Sequence, residues 1–148
     1  MTLRVRSVPL TLRRRSYGTH SLSTEERQPA SSVPNELISV LALAREHQER
    51  GHQAYALRLL GDIAAHRAPP GIDQAAVHYR QALSLAEELG MRPLVAHCHL
   101  GLGTLYASVS QSEQARAALT TAIAMYRAMD MTFWLPQAEA RLAQVEAR

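Results

Sequence analysis

The chain of 148 residues has room for one domain and a tail. Hydrophobic residues make up 47% of it but aromatics only 5%, with alanine and leucine carrying most of the apolar share, which suits close-packed helices better than sheets. A single cysteine, Cys98, excludes a disulfide scaffold, and no run of about 18 apolar residues is present to span a membrane.

The net charge of +3 is unevenly spread. Residues 1–33 carry Arg4, Arg6, Arg13, Arg14, Arg15 and Arg27 against Glu25 and Glu26, while ten arginines face eleven acids in the rest. Every basic residue is arginine and none is lysine, which together with the alanine content points to a GC-rich bacterial genome. Residues 1–33 read as a basic, disordered tail, since they cannot bury enough apolar area to offset their ordering entropy. A nucleic-acid arm centred on Arg13-Arg14-Arg15 and an organellar transit peptide are the alternatives. No aromatic residues interleave with the arginines and the body offers no basic face to continue them, so nucleic acid is not the expected partner.

From there the hydrophobic spacing predicts helices over 36–50, 53–67, 72–89, 93–109, 111–129 and 134–147. Ser110 with Glu113 reads as a capping box, Gly90 as a left-handed helix terminator and Pro93 as a first-turn proline. Pro136 either starts the last helix or follows an irregular turn at Phe133-Trp134-Leu135.

These elements repeat. Leu60-Gly61 returns as Leu102-Gly103, and the stripe Ala75, Tyr79, Ala82 returns as Ala115, Leu119, Ala122. Leu142-Ala143 falls in the Leu-Gly slot of a third unit, while Leu37, Val40 and Ala44 fall where Tyr79, Ala82 and Ala86 lie. Each unit is an antiparallel αα-hairpin: the first helix sets a small residue beside leucine so that a second helix can approach closely. The expected fold is therefore all-α, a short right-handed α-solenoid spanning 34–148. It comprises an orphan second helix at 36–50, repeats at 53–90 and 93–129, and a terminal helix at 134–147. The orphan helix is expected to leave Leu37, Leu41 and Ala44 as an open apolar edge, which a second copy of the protein would cover to make a homodimer.

No catalytic constellation emerges. Neighbours on a helix diverge by about 100° per residue, so His97, Cys98 and His99 cannot converge on one metal ion, and Cys98 reads as a packed thiol. His66, His78, Asp62 and Glu87 form a pH-sensitive cluster only if the two helices of one hairpin bring them together. Phe133-Trp134 is either an exposed anchor for a partner or, as expected here, a plug over the last hairpin. A sequence without lysine cannot supply the phosphate-binding lysine of a P-loop. Neither a cofactor nor a metal is expected.

Leu102-Gly103-Thr104-Leu105-Tyr106, followed by Ala115, Leu119 and Ala122, resembles the tetratricopeptide repeat signature, although the repeats here run to about 40 residues rather than 34. The stretches Gly61–Arg67, His78–Leu83, Glu88–Leu94 and Met131–Leu135 resemble more closely the C-terminal repeat region of bacterial adenylate/guanylate cyclase–ATPase signalling proteins. The resemblance implies a non-enzymatic, cytoplasmic module that binds a protein or peptide partner in bacterial signalling or regulation. A C-terminal piece of such a signalling protein, inactive alone, is the alternative. It also implies that first helices line a concave groove, with Tyr55, Arg58, Asp62 and His66 in one unit and His97, Leu100, Thr104 and Ser108 in the next.

Overall fold

A computed structural model of the protein describes residues 32–148. The expectations for the basic tail lie outside the described residues, except that Ser32 and Val33 are already helical. Six helices and no strand are found among the described residues: α1 (Ser32–Glu46), α2 (Arg50–His66), α3 (Ile72–Glu88), α4 (Arg92–Ser108), α5 (Ser112–Ala128) and α6 (Leu135–Glu146). Val33–Arg148 form one compact unit.

The repeated stripes make the hairpins. Ala75, Tyr79, Ala82 and Ala86 of α3 are each at most 2% exposed, and Ala115, Leu119 and Ala122 of α5 are all 0% exposed. What they meet explains the glycines. A Cβ at Gly103 would sit 2.6 Å from Leu119 Cγ, and one at Gly61 would sit 2.9 Å from the Tyr79 ring. Close backbone approach therefore holds α2 to α3 and α4 to α5, and the same stripes continue onto the next helix. Tyr79 also presses on α4, where a Cβ at Gly101 would come within 2.5 Å of Cε1. Consecutive helices from α2 to α6 pack together, and α4 also touches both α2 and α6 along one side. This is the solenoid pattern of nearest-neighbour burial.

Four helix ends share one terminator. Gln48, Gly90, Ser110 and Asp130 have φ of 56°, 67°, 61° and 53°. In each case the following amide returns to a carbonyl five residues back, as in Met91 N to Ala86 O at 2.9 Å and Gln111 N to Tyr106 O at 2.9 Å. Only Gly90 advertises this conformation in its residue type.

The same turn corrects two expectations. The capping box is not formed: Gln111 precedes α5 and its side chain makes no capping bond, because Ser110 is spent on the left-handed turn that ends α4. The first helix lies over 32–46 rather than 36–50, because Gln48 terminates it and Pro34 is tolerated in its first turn. The predicted open edge is also revised. Leu41 and Ala44 are only 6% and 3% exposed, and Leu37 is half-buried against the cluster that holds Leu41, Leu57 and Leu94. The exposed apolar residues of α1 are instead Val33, Ile38, Val40 and Leu43. Pro93 and Pro136 both stand in first turns, the latter after an irregular turn through Trp134.

Candidate functional site: a concave groove across three helices

The side along which α4 lies between α2 and α6 is hollow. A cavity of about 500 Å³ opens there, and seven of the eight residues expected to line a groove do so: Arg58, Asp62 and His66 from α2, and His97, Leu100, Thr104 and Ser108 from α4. The spacing explains it, since 58, 62, 66 and 97, 100, 104, 108 are successive i, i+3 or i+4 steps along one helix face. Tyr55 belongs elsewhere. It is 48% exposed and lines a shallow hollow with Glu49, Gly51 and His52 at the start of α2.

The groove floor is a series of linked polar groups. Arg58 Nη2 lies 3.2 Å from Asp62 Oδ2, and Tyr79 Oη donates to Asp62 Oδ1 at 2.5 Å. Asp62 thus receives a cation and a hydroxyl from two different helices. Burial, reinforced by this bond and by the carboxylate charge, pushes the Tyr79 hydroxyl far above its ordinary range, so it remains a donor. Arg58 Nε is buried with no partner. His66 is turned away from the floor, its Nδ1 donating to its own helix at Asp62 O (2.8 Å).

The second unit contributes an aromatic wall. His97 Nδ1 is hydrogen-bonded to Tyr126 Oη at 2.8 Å, and its ring meets Trp134 edge-on with centroids 4.7 Å apart. Burial first, then the Arg58 charge, lowers the His97 pKa, so the ring is neutral at neutral pH. Burial pushes the Tyr126 hydroxyl up to about 12. Trp134, Gln137 and Arg141 complete the far rim. Trp134 at the N-terminal cap of α6, Gln137, Arg141 and Tyr79 are additions to the expected groove positions. Trp134, expected to serve packing alone, does pack against the α4–α5–α6 core while also showing a face to the groove. Phe133 is 81% exposed beside it and plugs nothing.

The remaining candidates separate. His97, Cys98 and His99 diverge into three surroundings. Cys98 is 0% exposed and its thiol is pushed up to about 12 by burial. His99 is half-buried with Glu87 nearby, and burial lowers its pKa. The four-residue pH cluster does not assemble. Asp62 is taken by Arg58 and Tyr79, Glu87 acts on His99, and His78 Nδ1 is left without a partner. Among the described residues no group of three or more His, Cys, Asp or Glu is placed to hold a metal ion. No helix among them is long and apolar enough to cross a membrane.

The groove and the packing define a class: an all-α repeat solenoid with a concave polar cleft. No family model matches the sequence, and no curated protein matches it.

Proposed function

We propose that the protein is a non-enzymatic, tetratricopeptide-like module that binds a peptide segment of a partner protein in this groove, as a cytoplasmic adaptor in bacterial signalling or regulation. One observation carries the reading: a single cleft gathers polar side chains from three successive first helices, Arg58 and Asp62, then His97 and Thr104, then Trp134 and Arg141. A cavity of about 500 Å³ lies within the range of specific ligand sites, and its length across three helices fits an extended segment better than a compact metabolite. Two guanidinium residues, Arg58 and Arg141, line the cleft against one carboxylate, Asp62, which leaves one positive charge for a negative group of the ligand. The terminal carboxylate of a peptide, or an acidic side group, has the planar oxygen pair that guanidinium recognises. Trp134 offers an adjacent aromatic face for an apolar neighbour. The lone, deeply buried thiol of Cys98 suits a reducing compartment.

The test is selection of displayed peptides with free C-termini on the full-length protein, followed by fluorescence polarisation of the enriched sequences. Arg58→Ala and Trp134→Ala are expected to weaken the selected peptides by about tenfold or more, the scale of one charge-assisted or aromatic contact. Tyr55→Ala, outside the groove, should leave affinity unchanged. Enriched peptides indifferent to Arg58 and Trp134, or no enrichment at all, would remove the reading.

A further inference from the structure

The two ends of the described solenoid are cut along the same interface, and each presents what the other lacks. α1 repeats the second-helix pattern. Val33, Leu37 and Val40 stand in register with Ala75, Tyr79 and Ala82 of α3 and with Ala115, Leu119 and Ala122 of α5. Those six positions are at most 2% exposed, yet Val33 and Val40 are each 48% exposed. Leu43, in register with half-buried Met125, is 54% exposed. The flank of α1 that faces α2, with Leu41 and Ala44, is buried. The flank where a first helix would lie is bare, and it carries larger apolar side chains than its alanine counterparts.

α6 is the converse. Ala140 and Ala143 stand in register with Leu100 and Gly103, which pack against α5, and both alanines are exposed. Beside them a groove of about 310 Å³ runs between α5 and α6, with Ile123, Ala124 and Leu142 along it and Arg127 and Glu139 on its rim. One repeat earlier, the same crevice between α3 and α4 is filled by α5, which sets Leu119 on Gly103 and Ala118 against the cluster of Ala76, Leu102 and Leu105.

We propose that α1 of a second copy fills the α5–α6 groove, forming with α6 a complete hairpin in trans, so that copies join head to tail. The register that sets Leu119 on Gly103 sets Leu37 of the second copy on Ala143, with Val33, Val40 and Leu43 along the crevice. The charges agree. Glu36 takes the register of Ala118, and the α5 residue in register with Ala76 is Arg116, half-exposed with a loose 3.6 Å pair to Glu113. Opposite charges thus fall on the two sides of one crevice, which favours this register more than it adds affinity. Because the two surfaces differ, the contact is heterologous and adds copies in series instead of closing on a twofold axis. The inference does not depend on what the concave groove binds.

Light scattering of the full-length protein over a concentration series tests it. The average mass should climb past two copies with concentration. Val40→Glu blocks the α1 face and Ala143→Glu blocks the α6 face; both positions are exposed, and circular dichroism checks that the helices remain. Each variant alone should be monomeric where the wild type is not. An equimolar mixture should recover twofold mass and stop there, because one intact α1 face meets one intact α6 face. Leu43→Glu should behave as Val40→Glu and guards against a folding defect in the latter. A dimer abolished by Val40→Glu but untouched by Ala143→Glu would mean α1 pairing with α1, and would overturn the proposal. So would a monomer at all concentrations, as expected if residues 1–31 cover α1 of the same molecule, or a mixture that stays monomeric.

Discussion

The two complete hairpins use one scaffold with two large residues exchanged. In α3 the stripe reads Ala75, Tyr79, Ala82, Ala86; in α5 it reads Ala115, Leu119, Ala122, Tyr126. The tyrosine moves from the second position of the stripe to the fourth. Both rings are at most 2% exposed, and both direct a hydroxyl toward the concave side, Tyr79 to Asp62 and Tyr126 to His97. The exchange shows how a repeat builds a varied groove on an unvaried core: the alanines keep the helices close, and the tyrosine position decides which first-helix side chain is anchored. It also accounts for Gly101. In register with Gly101 stand Leu59 and Arg141, and the stripe residues in register with Tyr79 are Leu37 and Leu119. Tyr79 and Leu119 both meet a glycine on the preceding helix, Gly61 and Gly103, but only Tyr79 also has one on the following helix, which points to the ring, not the helix crossing as such, as the reason for Gly101.

The largest effect that would test this contrast is removal of the wedge. Tyr79 presses on α2 and α4 at once, and its hydroxyl satisfies a half-buried carboxylate. Tyr79→Ala should therefore cost about 3–5 kcal/mol of unfolding free energy, at the top of the range for large-to-small core changes. Leu119→Ala, which removes fewer atoms and strands no polar group, should cost about 2–3 kcal/mol. Urea denaturation of both variants gives the order. Equal costs would mean that Tyr79 acts as an ordinary core residue and that its span across three helices adds nothing.

A smaller effect isolates the glycine. Alanine favours a helix by up to about 1 kcal/mol over glycine, but its Cβ at position 101 would lie 2.5 Å from Tyr79 Cε1, on a ring also pressed against α2 at Gly61. Gly101→Ala should thus be net destabilising by about 1–2 kcal/mol, the low end of the overpacking range. At Gly51 nothing lies within 4 Å, so Gly51→Ala should be neutral or stabilising. Combining Gly101→Ala with Tyr79→Leu should recover most of the Gly101→Ala cost, since the smaller leucine takes away the ring atoms that the new Cβ would meet. A double-mutant cycle reads the coupling directly. Additive costs would mean that Gly101 answers to some other neighbour.

The repeat is legible in the sequence because burial acts on side-chain size at fixed spacing. Ala75, Tyr79 and Ala82 and their counterparts announce both the register and the buried face. Seven groove positions follow once the resemblance to tetratricopeptide repeats assigns the first helices of that register to the concave side. Its limits are set by conformations that residue type does not advertise. Gln48, Ser110 and Asp130 adopt the left-handed turn that only Gly90 signals, so the end of α1 and the start of α5 differ from expectation. Tyr79 and Trp134 escape a sequence reading of the groove because a packed aromatic looks purely apolar there. Each has a second surface, a hydroxyl or a ring face, that only the third dimension directs to the cleft. The α1 edge departs from expectation for a related reason. A stripe residue has two neighbours in a solenoid, and Leu41 and Ala44 face the one that is present.

The smallest effect separates the groove walls by pH. Burial lowers the pKa of His97 and of His99 from an ordinary value of 6.5. The unfolded protein then takes up protons at a pH where the folded protein does not, so stability is full above about 6.5 and is lost as pH falls from there toward the depressed native values. The melting temperature should accordingly drop between pH 7.5 and 5, in a window that lies above ordinary carboxylate titration. His97→Gln, which keeps an acceptor for Tyr126 Oη but cannot be charged, should flatten that slope. Peptide affinity gives the complementary sign. A proton on His97 adds a positive charge to a wall already carrying Arg58 and Arg141, so a carboxylate-bearing peptide should bind more tightly as stability declines. Affinity and stability moving together down the pH scale would mean that His97 faces the core alone and that the aromatic wall is no part of the cleft.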